Sequence, residues 1–253
     1  MRVVLSFDDG RSDNYENAFP ILKKYGLTAS IHITTGFIDG SFVTDEFGKN
    51  MKPIPVPCLA EMAHYGIDVS SHGDKHKMDC NDFIVSQRKI HTWTGQSSCG
   101  FSVPNSSASK DEIGAFINNT KNNVLYVRVG RDSRCKTIFY KIFYLLYKIT
   151  HLQLCYNFFN RININYSFNK YYIKSVVIKR HTRAKNICNF VKKYSRNESV
   201  LVLMLHSITE KPENPWEWSL SNFEKLCAFL KQMLASREID VTNLKCVVER
   251  NDE

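Results

Sequence analysis

The stretch Val3-Val4-Leu5-Ser6-Phe7-Asp8-Asp9-Gly10 predicts a buried strand that ends in an acidic turn. Apolar residues then recur with helical spacing over residues 15–25, and Gly26 follows as a helix stop. Residues 29–34 are again apolar and predict a second strand. A strand, a helix and a strand within about thirty residues form a βαβ unit, which implies a parallel sheet.

The same alternation of strands and helices continues along the chain. It indicates an α/β fold, either a barrel or a doubly wound sheet, and 253 residues suit one domain covering 1–253. Further strands are predicted at 67–71, 101–103, 124–129 and 200–205, and further helices at 59–65, 81–94, 111–120 and 221–236.

One region, residues 131–197, interrupts this rhythm and is interpreted as an atypical aromatic-rich insertion. Its apolar part, 137–159, is long enough to span a bilayer, but Lys141 and Lys148 would each cost about 3 kcal/mol there. A transmembrane span is therefore not expected. A core or interface helix is the favoured interpretation, and peripheral contact with a membrane surface is the alternative.

Composition and charge describe an ordinary folded protein. Hydrophobic residues make up 43% and charged residues 23%, which argues against disorder. The net charge of +9 would suit an anionic partner, but Lys-rich solvated helices explain it equally well. No nucleic-acid partner is expected, because no block of five or more like charges occurs.

The eight cysteines are scattered and form no CxxC pair, so neither a zinc ribbon nor a disulfide framework is predicted. The first apolar run, residues 3–7, is too short for a signal-peptide core. Together these features predict a cytoplasmic protein.

Polar residues suited to metal binding follow three of the predicted strands. Asp8 and Asp9 come after residues 3–7, His72 after 67–71 and His206 after 200–205. Because the carboxyl ends of parallel strands meet at one rim, these side chains are expected to lie together.

His72 and His76 are four residues apart, so on one side of a helical turn both rings reach one ion. Each motif also has a plainer interpretation when taken singly. Asp8-Asp9-Gly10 suits a solvated turn, the histidine pair can arise by chance, and His206 suits a hydrogen-bonded core histidine.

In order and context these motifs resemble the polysaccharide deacetylases of carbohydrate esterase family 4. Residues 5–10 (Leu-Ser-Phe-Asp-Asp-Gly) resemble the first family motif, 71–76 (Ser-His-Gly-Asp-Lys-His) the second, and 202–206 (Val-Leu-Met-Leu-His) the last. The resemblance is good over 1–105 and 198–245 and poor over about 130–197.

The resemblance implies a distorted (β/α) barrel that holds one divalent ion, zinc or another transition metal. Asp9, His72 and His76 would be the metal ligands, Asp8 the general base and His206 the general acid. Two histidines and a carboxylate leave a position open for water and for the acetyl oxygen. Such an ion polarises a carbonyl and makes bound water more acidic.

The sequence departs from the family at the third and fourth motifs. Where the family has Arg-x-Pro-Tyr, residues 102–105 read Ser-Val-Pro-Asn, so the arginine that orients the base is missing at Ser102. Asn105 would still offer its backbone N–H to the oxyanion. The fourth motif, an Asp-containing segment with a Trp, has no clear counterpart. Arg128 and Arg131 are interpreted as surface charges rather than as replacements.

The predicted function is hydrolysis of an acetyl group, as an amide or an ester, from an N-acetylated sugar in an oligo- or polysaccharide. A cytoplasmic location would favour a nucleotide-linked, lipid-linked or short-chain glycan. Two alternatives stay open: a catalytically impaired carbohydrate-binding relative, and a glycan-processing protein associated with a membrane surface.

Overall fold

The computed structural model describes residues 1–45, 47, 51–106, 108–120 and 123–252. Its centre is a parallel sheet with strand order β5-β4-β3-β2-β1-β7-β6, and β10 pairs with the first residues of β1. A second, two-stranded sheet pairs β8 with β9. The strands are β1 (Arg2–Asp9), β2 (Ser30–Ile33), β3 (Asp68–Ser71), β4 (Phe101–Ser102), β5 (Val127–Arg128), β6 (Ser175–Val177), β7 (Val200–Leu205), β8 (Ser207–Thr209), β9 (Glu217–Ser219) and β10 (Asp240–Thr242).

The two ends of the large sheet meet. Arg128 in β5 forms a parallel bridge with Ile173, just before β6, and the backbone N–H of Val129 donates to the carbonyl of Ile173 at 2.8 Å. The ring of strands is thereby completed, which makes the sheet a distorted barrel. The predicted (β/α) barrel is confirmed, and the doubly wound alternative is excluded.

Helices cover the outside of the barrel. They are α1 (Phe19–Tyr25), α2 (Thr35–Asp39), α3 (Val56–Tyr65), α4 (Cys80–Thr94), α5 (Lys110–Asn119), α6 (Ile138–Thr150), α7 (Gln153–Asn160), α8 (Ala184–Tyr194), α9 (Leu220–Ala235) and α10 (Leu244–Asp252). A short π-helix, Asn14–Ala18, precedes α1, and Gly26 ends α1 in the left-handed conformation.

The core follows from the apolar strands. Residues 3–9 of β1 and all of β7 are buried, because both strands lie inside the sheet and are covered on two sides. The predicted helices and strands outside 131–197 are all present and, when the π-helix is counted with α1, their ends differ from the predicted ends by no more than three residues. The eight cysteines are free thiols.

The prediction for residues 137–159 needs correction. The segment is two helices, α6 and α7, separated by His151 in the left-handed conformation and Leu152. On α6, every residue of which the structure describes, only Tyr147 is buried, so of the favoured core or interface helix the core form is wrong and the interface form stays a prediction. Residues 131–197 also supply β6 to the barrel, and the assignment of 1–253 to one domain stays a prediction.

Candidate active site and metal site

One cavity at the carboxyl ends of the central strands collects the predicted site residues. Its volume is about 410 Å³. β1 supplies the two carboxylates, the loop after β3 supplies the histidine pair, and the residue after β7 supplies the third histidine. The lining residues are Asp8, Asp9, Arg11, Phe47, His72, His76, Asn105, His206 and Trp216. All six predicted residues therefore face one space.

Three of these residues form a group that suits a metal ion. Ligand atoms of Asp9, His72 and His76 all lie within 4.8 Å of one another. The Nε2 atoms of His72 and His76 are 3.2 Å apart, and Nε2 of His72 is 3.6 Å from Oδ1 of Asp9. Two imidazoles and one carboxylate are a donor set that binds zinc and similar divalent ions with a position left open.

His72 is held in the form that binds metal. Its Nδ1–H donates to the backbone carbonyl of Ser102 at 2.8 Å, so Nε2 carries the lone pair that faces the group. Burial, together with His76, lowers the pKa of His72 to about 3. The ring is therefore neutral at pH 7, as a metal ligand must be.

The two oxygens of Asp9 have separate partners. Oδ2 accepts from Nε of Arg11 at 2.8 Å, which leaves Oδ1 directed towards the histidines. Arg11 is fixed in turn by Ser207, whose hydroxyl lies 3.0 Å from Nη1. Burial raises the pKa of Asp9, but Arg11 and the nearby His206 outweigh it and hold the pKa below its usual value. The carboxylate is thus ionised and oriented.

The loop that carries the histidine pair is not helical, so the expected helical turn is wrong. Gly73 and His76 both have positive φ, at 86° and 56°. The carboxylate of Asp82 accepts from the backbone N–H groups of Asp74 and Lys75 at 2.8 and 3.0 Å and shapes the loop. The rings of the pair meet because of this loop and not because of helical spacing.

Asp8 forms a buried ion pair with Arg128. Nη2 of Arg128 lies 2.5 and 2.6 Å from the two carboxylate oxygens of Asp8 and also donates to the hydroxyl of Ser102. Both partners are almost fully buried. Burial raises the pKa of Asp8 to about 6, although Arg128 acts to lower it. The carboxylate is therefore ionised near neutral pH and is not among the grouped ligand atoms.

His206 follows directly after β7, which ends at Leu205. Its ring centroid is 4.6 Å from that of Trp216, and its Nδ1 is buried without a hydrogen-bond partner among the described residues. Burial lowers the pKa of His206 to about 3. The ring is therefore neutral at rest.

Backbone conformation also marks this site. Asp9, His76 and Asn105 have φ values of 77°, 56° and 56°. Non-glycine residues in this region cost about 1–3 kcal/mol each and concentrate at functional sites. Asn105 is exposed at the edge of the cavity, where its backbone can meet a bound ligand.

Several known proteins are similar to this chain. Residues 1–122 match the family model for polysaccharide deacetylase. The protein YxkH of Bacillus subtilis, whose name places it among the polysaccharide deacetylases, is 39% identical over 87 residues, which are 34% of this chain and 27% of that protein. The matching segment thus spans about a quarter of that relative's length. Residues 1–122 are thus similar to the polysaccharide deacetylases.

Solved structures of deacetylase relatives share the barrel. The Xyl-CE4 domain of a xylanase from a Trinervitermes trinervoides hindgut metagenome has a TM-score of 0.53 at 13% identity, covering 99% of this chain and 91% of that one. A family 4 acetyl xylan esterase from Clostridium thermocellum with a cobalt ion has a TM-score of 0.51 at 14% identity, covering 96% and 88%. A family 4 pseudoenzyme from Bacillus anthracis, BA3943, has a TM-score of 0.53 at 13% identity, covering 98% and 65%.

A guanidinium from another strand lies at the position of the predicted third motif. Ser102 occupies the place of the missing arginine, and its hydroxyl accepts from the guanidinium of Arg128, which reaches Asp8 from β5. The interpretation of Arg128 as a surface charge is therefore wrong, because its side chain is 1% exposed. Arg131 lies elsewhere, against Tyr144 and Phe159.

Sequence reasoning missed several residues of this candidate site. Arg11 follows directly after the first motif. A basic residue so close to two carboxylates could have been predicted to form an ion pair with one of them. Trp216 lies ten residues after His206, and nothing in its local sequence indicated that its ring would contact His206. Asp82 begins a helix and showed only the pattern of an ordinary first-turn acid.

Gly73 provides a test of the loop. A Cβ at this position would lie 2.4 Å from Oδ2 of Asp82 and 2.9 Å from the carbonyl oxygen of Lys77. We expect Gly73→Ala to lose more than the roughly 1–3 kcal/mol of backbone strain and to weaken metal binding, because Asp82 must move. Chemical denaturation and metal titration measure both effects.

Gly40 is the matched control, since its φ is 77° and a Cβ added there would meet nothing within 4 Å among the described residues. Gly40→Ala should therefore show the strain cost alone and bind metal normally. Equal stability and metal affinity in the two variants would contradict this account of the loop.

Proposed function

We propose that the chain is a metal-dependent hydrolase that removes an acetyl group from an N-acetylated sugar in an oligo- or polysaccharide. Asp9, His72 and His76 hold one divalent ion, with zinc as the first candidate. The observation that carries the proposal is the placement of this ligand group and an arginine-bound Asp8 in one cavity. An ion there would polarise the acetyl carbonyl and lower the pKa of a bound water.

Two residues beside that ion carry out the proton transfers. Asp8 acts as the general base, because it is ionised near neutral pH and Arg128 fixes its position. His206 acts as the general acid towards the leaving group. Since its ring is neutral at rest, it takes up a proton from solvent before it protonates the leaving group, and Asp8 returns the proton of the attacking water to solvent. The backbone N–H of Asn105 faces the developing oxyanion.

A catalytically impaired carbohydrate-binding relative is the alternative. It was suggested by the missing arginine at Ser102, but Arg128 supplies a guanidinium to Asp8. Active hydrolysis is therefore favoured. The test is acetate release from an N-acetylglucosamine oligomer by protein that is first stripped of metal and then reloaded. Release that depends on added metal supports the proposal, and no release from any acetylated glycan supports the alternative.

The leaving-group role of His206 makes a separate prediction. His206→Ala should fold and bind metal, yet lose about 10²-fold or more in kcat on an acetamide, whose amine must be protonated to depart. It should lose much less on an aryl acetate, because an aryl oxide leaves without a proton. Initial rates on the two substrates measure this difference. Equal losses on both, or an unfolded variant, would assign His206 a structural role.

We also propose peripheral membrane contact through α6. No helix in the described residues is long and apolar enough to cross a membrane. Helix α6 instead presents an uncovered apolar stripe, flanked along one edge by Lys141 and Lys148. Exposed fractions run from 42% to 74% for Ile138, Phe139, Ile142, Leu145, Leu146 and Ile149. Apolar residues beside lysines suit an interface with anionic lipid.

The surrounding sequence adds charge to this surface. Residues 133–197, here called the basic segment, contain 14 Lys or Arg and no Asp or Glu. The remainder of the chain has 20 basic and 25 acidic residues, so the whole positive excess lies in the basic segment. Such a distribution favours an anionic surface over a neutral one. The cytoplasmic location stays a prediction.

Vesicle sedimentation tests this contact. The wild type should bind vesicles with anionic lipid more strongly than vesicles of zwitterionic lipid alone. The variant Ile138→Ser/Leu145→Ser/Ile149→Ser should lose most of this binding, whereas Val43→Ser, which removes an apolar side chain 90% exposed elsewhere, should not. Undiminished binding by the triple variant, or a stable dimer that the same changes dissociate, would contradict membrane contact.

A further inference from the structure

A second cavity lies beside the cavity lined by Asp8, Asp9, His72, His76 and His206, which is here called the catalytic cavity. The two share Asn105 and Trp216 as lining residues, and the second has a volume of about 350 Å³. It is formed largely by the basic segment, with walls from α6, α7 and β6. Four of its lining side chains are cationic: Arg131, Lys136, Lys141 and Lys179. It is here called the basic cavity.

The charge of the basic cavity is not neutralised by the protein. Among the described residues Asp132 is the one acid on its lining, and its carboxylate accepts from Nε and Nη2 of Arg134, both at 2.9 Å. Nζ of Lys174 lies 3.7 Å from the same carboxylate. Within the described ranges, none of the four lining cations forms an ion pair with a carboxylate. The lining therefore carries a net positive charge.

Two of the cations are held against aromatic rings rather than in water. The guanidinium of Arg131 is 4.9 Å from the ring centroid of Tyr144, and its Nε is buried without a hydrogen-bond partner in the described part of the chain. Nζ of Lys179 is 3.9 Å from the ring centroid of Trp216. Burial and the neighbouring Arg131 lower the pKa of Lys179 to about 8. Partly desolvated cations that repel one another are stabilised by a bound anion.

The basic cavity lies next to the place where the acetylated sugar would react. Trp216 contacts both residues: its ring centroid is 4.6 Å from that of His206 and 3.9 Å from Nζ of Lys179. A ligand with its acetyl group in the catalytic cavity would therefore place an adjoining substituent in the basic cavity. A neutral substituent would leave the four cations without a counter-charge, and an anionic one would supply it.

We propose that the basic cavity binds an oxyanion covalently attached to the acetylated sugar, so that the substrate is an anionic glycan conjugate and not a neutral one. This inference rests on the proposed deacetylase function. Two sources carry such an oxyanion: a phosphate or diphosphate at the sugar's reducing end, and the carboxylate of a neighbouring acidic sugar. Arginine and lysine around a partly dry cavity bind either group through charge-assisted hydrogen bonds.

Substrate comparison tests the inference and separates the two sources. Acetate release is measured on a neutral N-acetylglucosamine oligomer, on N-acetylglucosamine 1-phosphate, on its nucleoside diphosphate conjugate, and on an oligosaccharide that alternates N-acetylglucosamine with a uronic acid. One of the anionic classes should exceed the neutral oligomer in kcat/KM by about tenfold or more, the effect of one hydrogen bond between charged groups. This preference should diminish as salt is added.

The variant Lys136→Gln/Lys141→Gln links that preference to the basic cavity. Both lysines are exposed at its edge, so the fold should be unaffected. The preference for the anionic substrate should fall about tenfold, while kcat/KM on the neutral oligomer stays the same. Lys225→Gln/Lys231→Gln is the control, because it removes two exposed charges from α9, outside the basic cavity. An undiminished preference, or an equal loss in the control, would overturn the inference.

A binding measurement keeps this inference distinct from the proposed function. Metal-free protein is titrated with pyrophosphate and with glucuronate by calorimetry, so that no ion in the catalytic cavity contributes. Binding of either anion that weakens in Lys136→Gln/Lys141→Gln and not in the control supports the basic cavity even if no glycan is hydrolysed. Binding that is absent or equal in all three proteins overturns it even if neutral glycans are hydrolysed.

Discussion

Asp8→Asn should retain one equivalent of metal while acetate release falls about 10²-fold or more. Asparagine cannot accept the water proton, and loss of a general base costs about 10²–10⁴ in rate. Metal is retained because the ligand group consists of Asp9, His72 and His76 and does not include Asp8. Metal content and initial rates on an N-acetylglucosamine oligomer measure the two properties on the same sample.

Asp9→Asn is the matched control, since it alters the neighbouring carboxylate in the same way. It should bind metal much more weakly, because the amide lacks the negative charge that attracts the ion and that Arg11 now balances. If Asp8→Asn lost its metal while Asp9→Asn kept it, the roles of the two carboxylates would be reversed. In the wild type, activity should fall as pH drops through about 6, because Asp8 is protonated below that value.

Arg128→Met should destabilise the protein by about 3–5 kcal/mol, the usual result of leaving one member of a buried ion pair without its partner. Arg128 contacts both oxygens of Asp8, and both side chains are buried. Since Arg128 acts to lower the pKa of Asp8, its removal should raise that pKa. The acid limb of the activity profile should therefore move to higher pH. Denaturant unfolding and a pH–rate profile measure these effects.

The double variant Asp8→Asn/Arg128→Met separates the cost of leaving a buried carboxylate unpaired from the cost of altered side-chain packing. It should be more stable than Arg128→Met, because no unpaired carboxylate remains buried. Arg128→Lys should keep the acid limb closer to that of the wild type, since it retains the positive charge. An acid limb that does not move in Arg128→Met would show that Arg128 supports the fold without acting on Asp8.

The barrel was predictable because its strands are short apolar runs, and the polar residues that follow them must share one rim. Residues 3–10, 71–76 and 202–206 each place a metal-binding or ionisable side chain directly after such a run. Parallel pairing of β1 with β7 and with β2, and of β2 with β3, then brings the ends of those strands together. Sequence order was sufficient for this part of the site.

Contacts between distant residues were not predictable in the same way. Arg128 and Asp8 are in contact although they lie 120 residues apart in the sequence. The sequence of the strand around Arg128 does not indicate whether its side chain faces the inside or the outside of the barrel. In the barrel Arg128 pairs with Ser102 of β4 and with Ile173, and its guanidinium contacts Asp8. The helical turn expected for His72 and His76 failed because Gly73 and Asp82 impose a different loop.

Helix α6 shows a different limit of sequence reasoning. Its apolar residues were assigned to a core or interface helix, because burial is the usual fate of such residues. Yet Tyr147 is the one buried residue of this fully described helix, and Ile138 is 74% exposed. Periodicity indicates that a helix is amphipathic but does not identify what covers its apolar face. The absence of acidic residues from the basic segment was the overlooked signal that this face differs from the rest of the protein.

The central claim is that one divalent ion, held by Asp9, His72 and His76, supports hydrolysis of an acetyl group. Its most direct test is zinc titration of stripped wild type, His76→Ala and His64→Ala, with acetate release followed at each point. His64 is an exposed histidine on α3 and serves as the control. Wild type and His64→Ala should bind one equivalent and gain activity in proportion, while His76→Ala should bind more than about 100-fold less tightly and stay inactive. One tightly bound equivalent in His76→Ala, or activity unrelated to bound metal, would contradict the account.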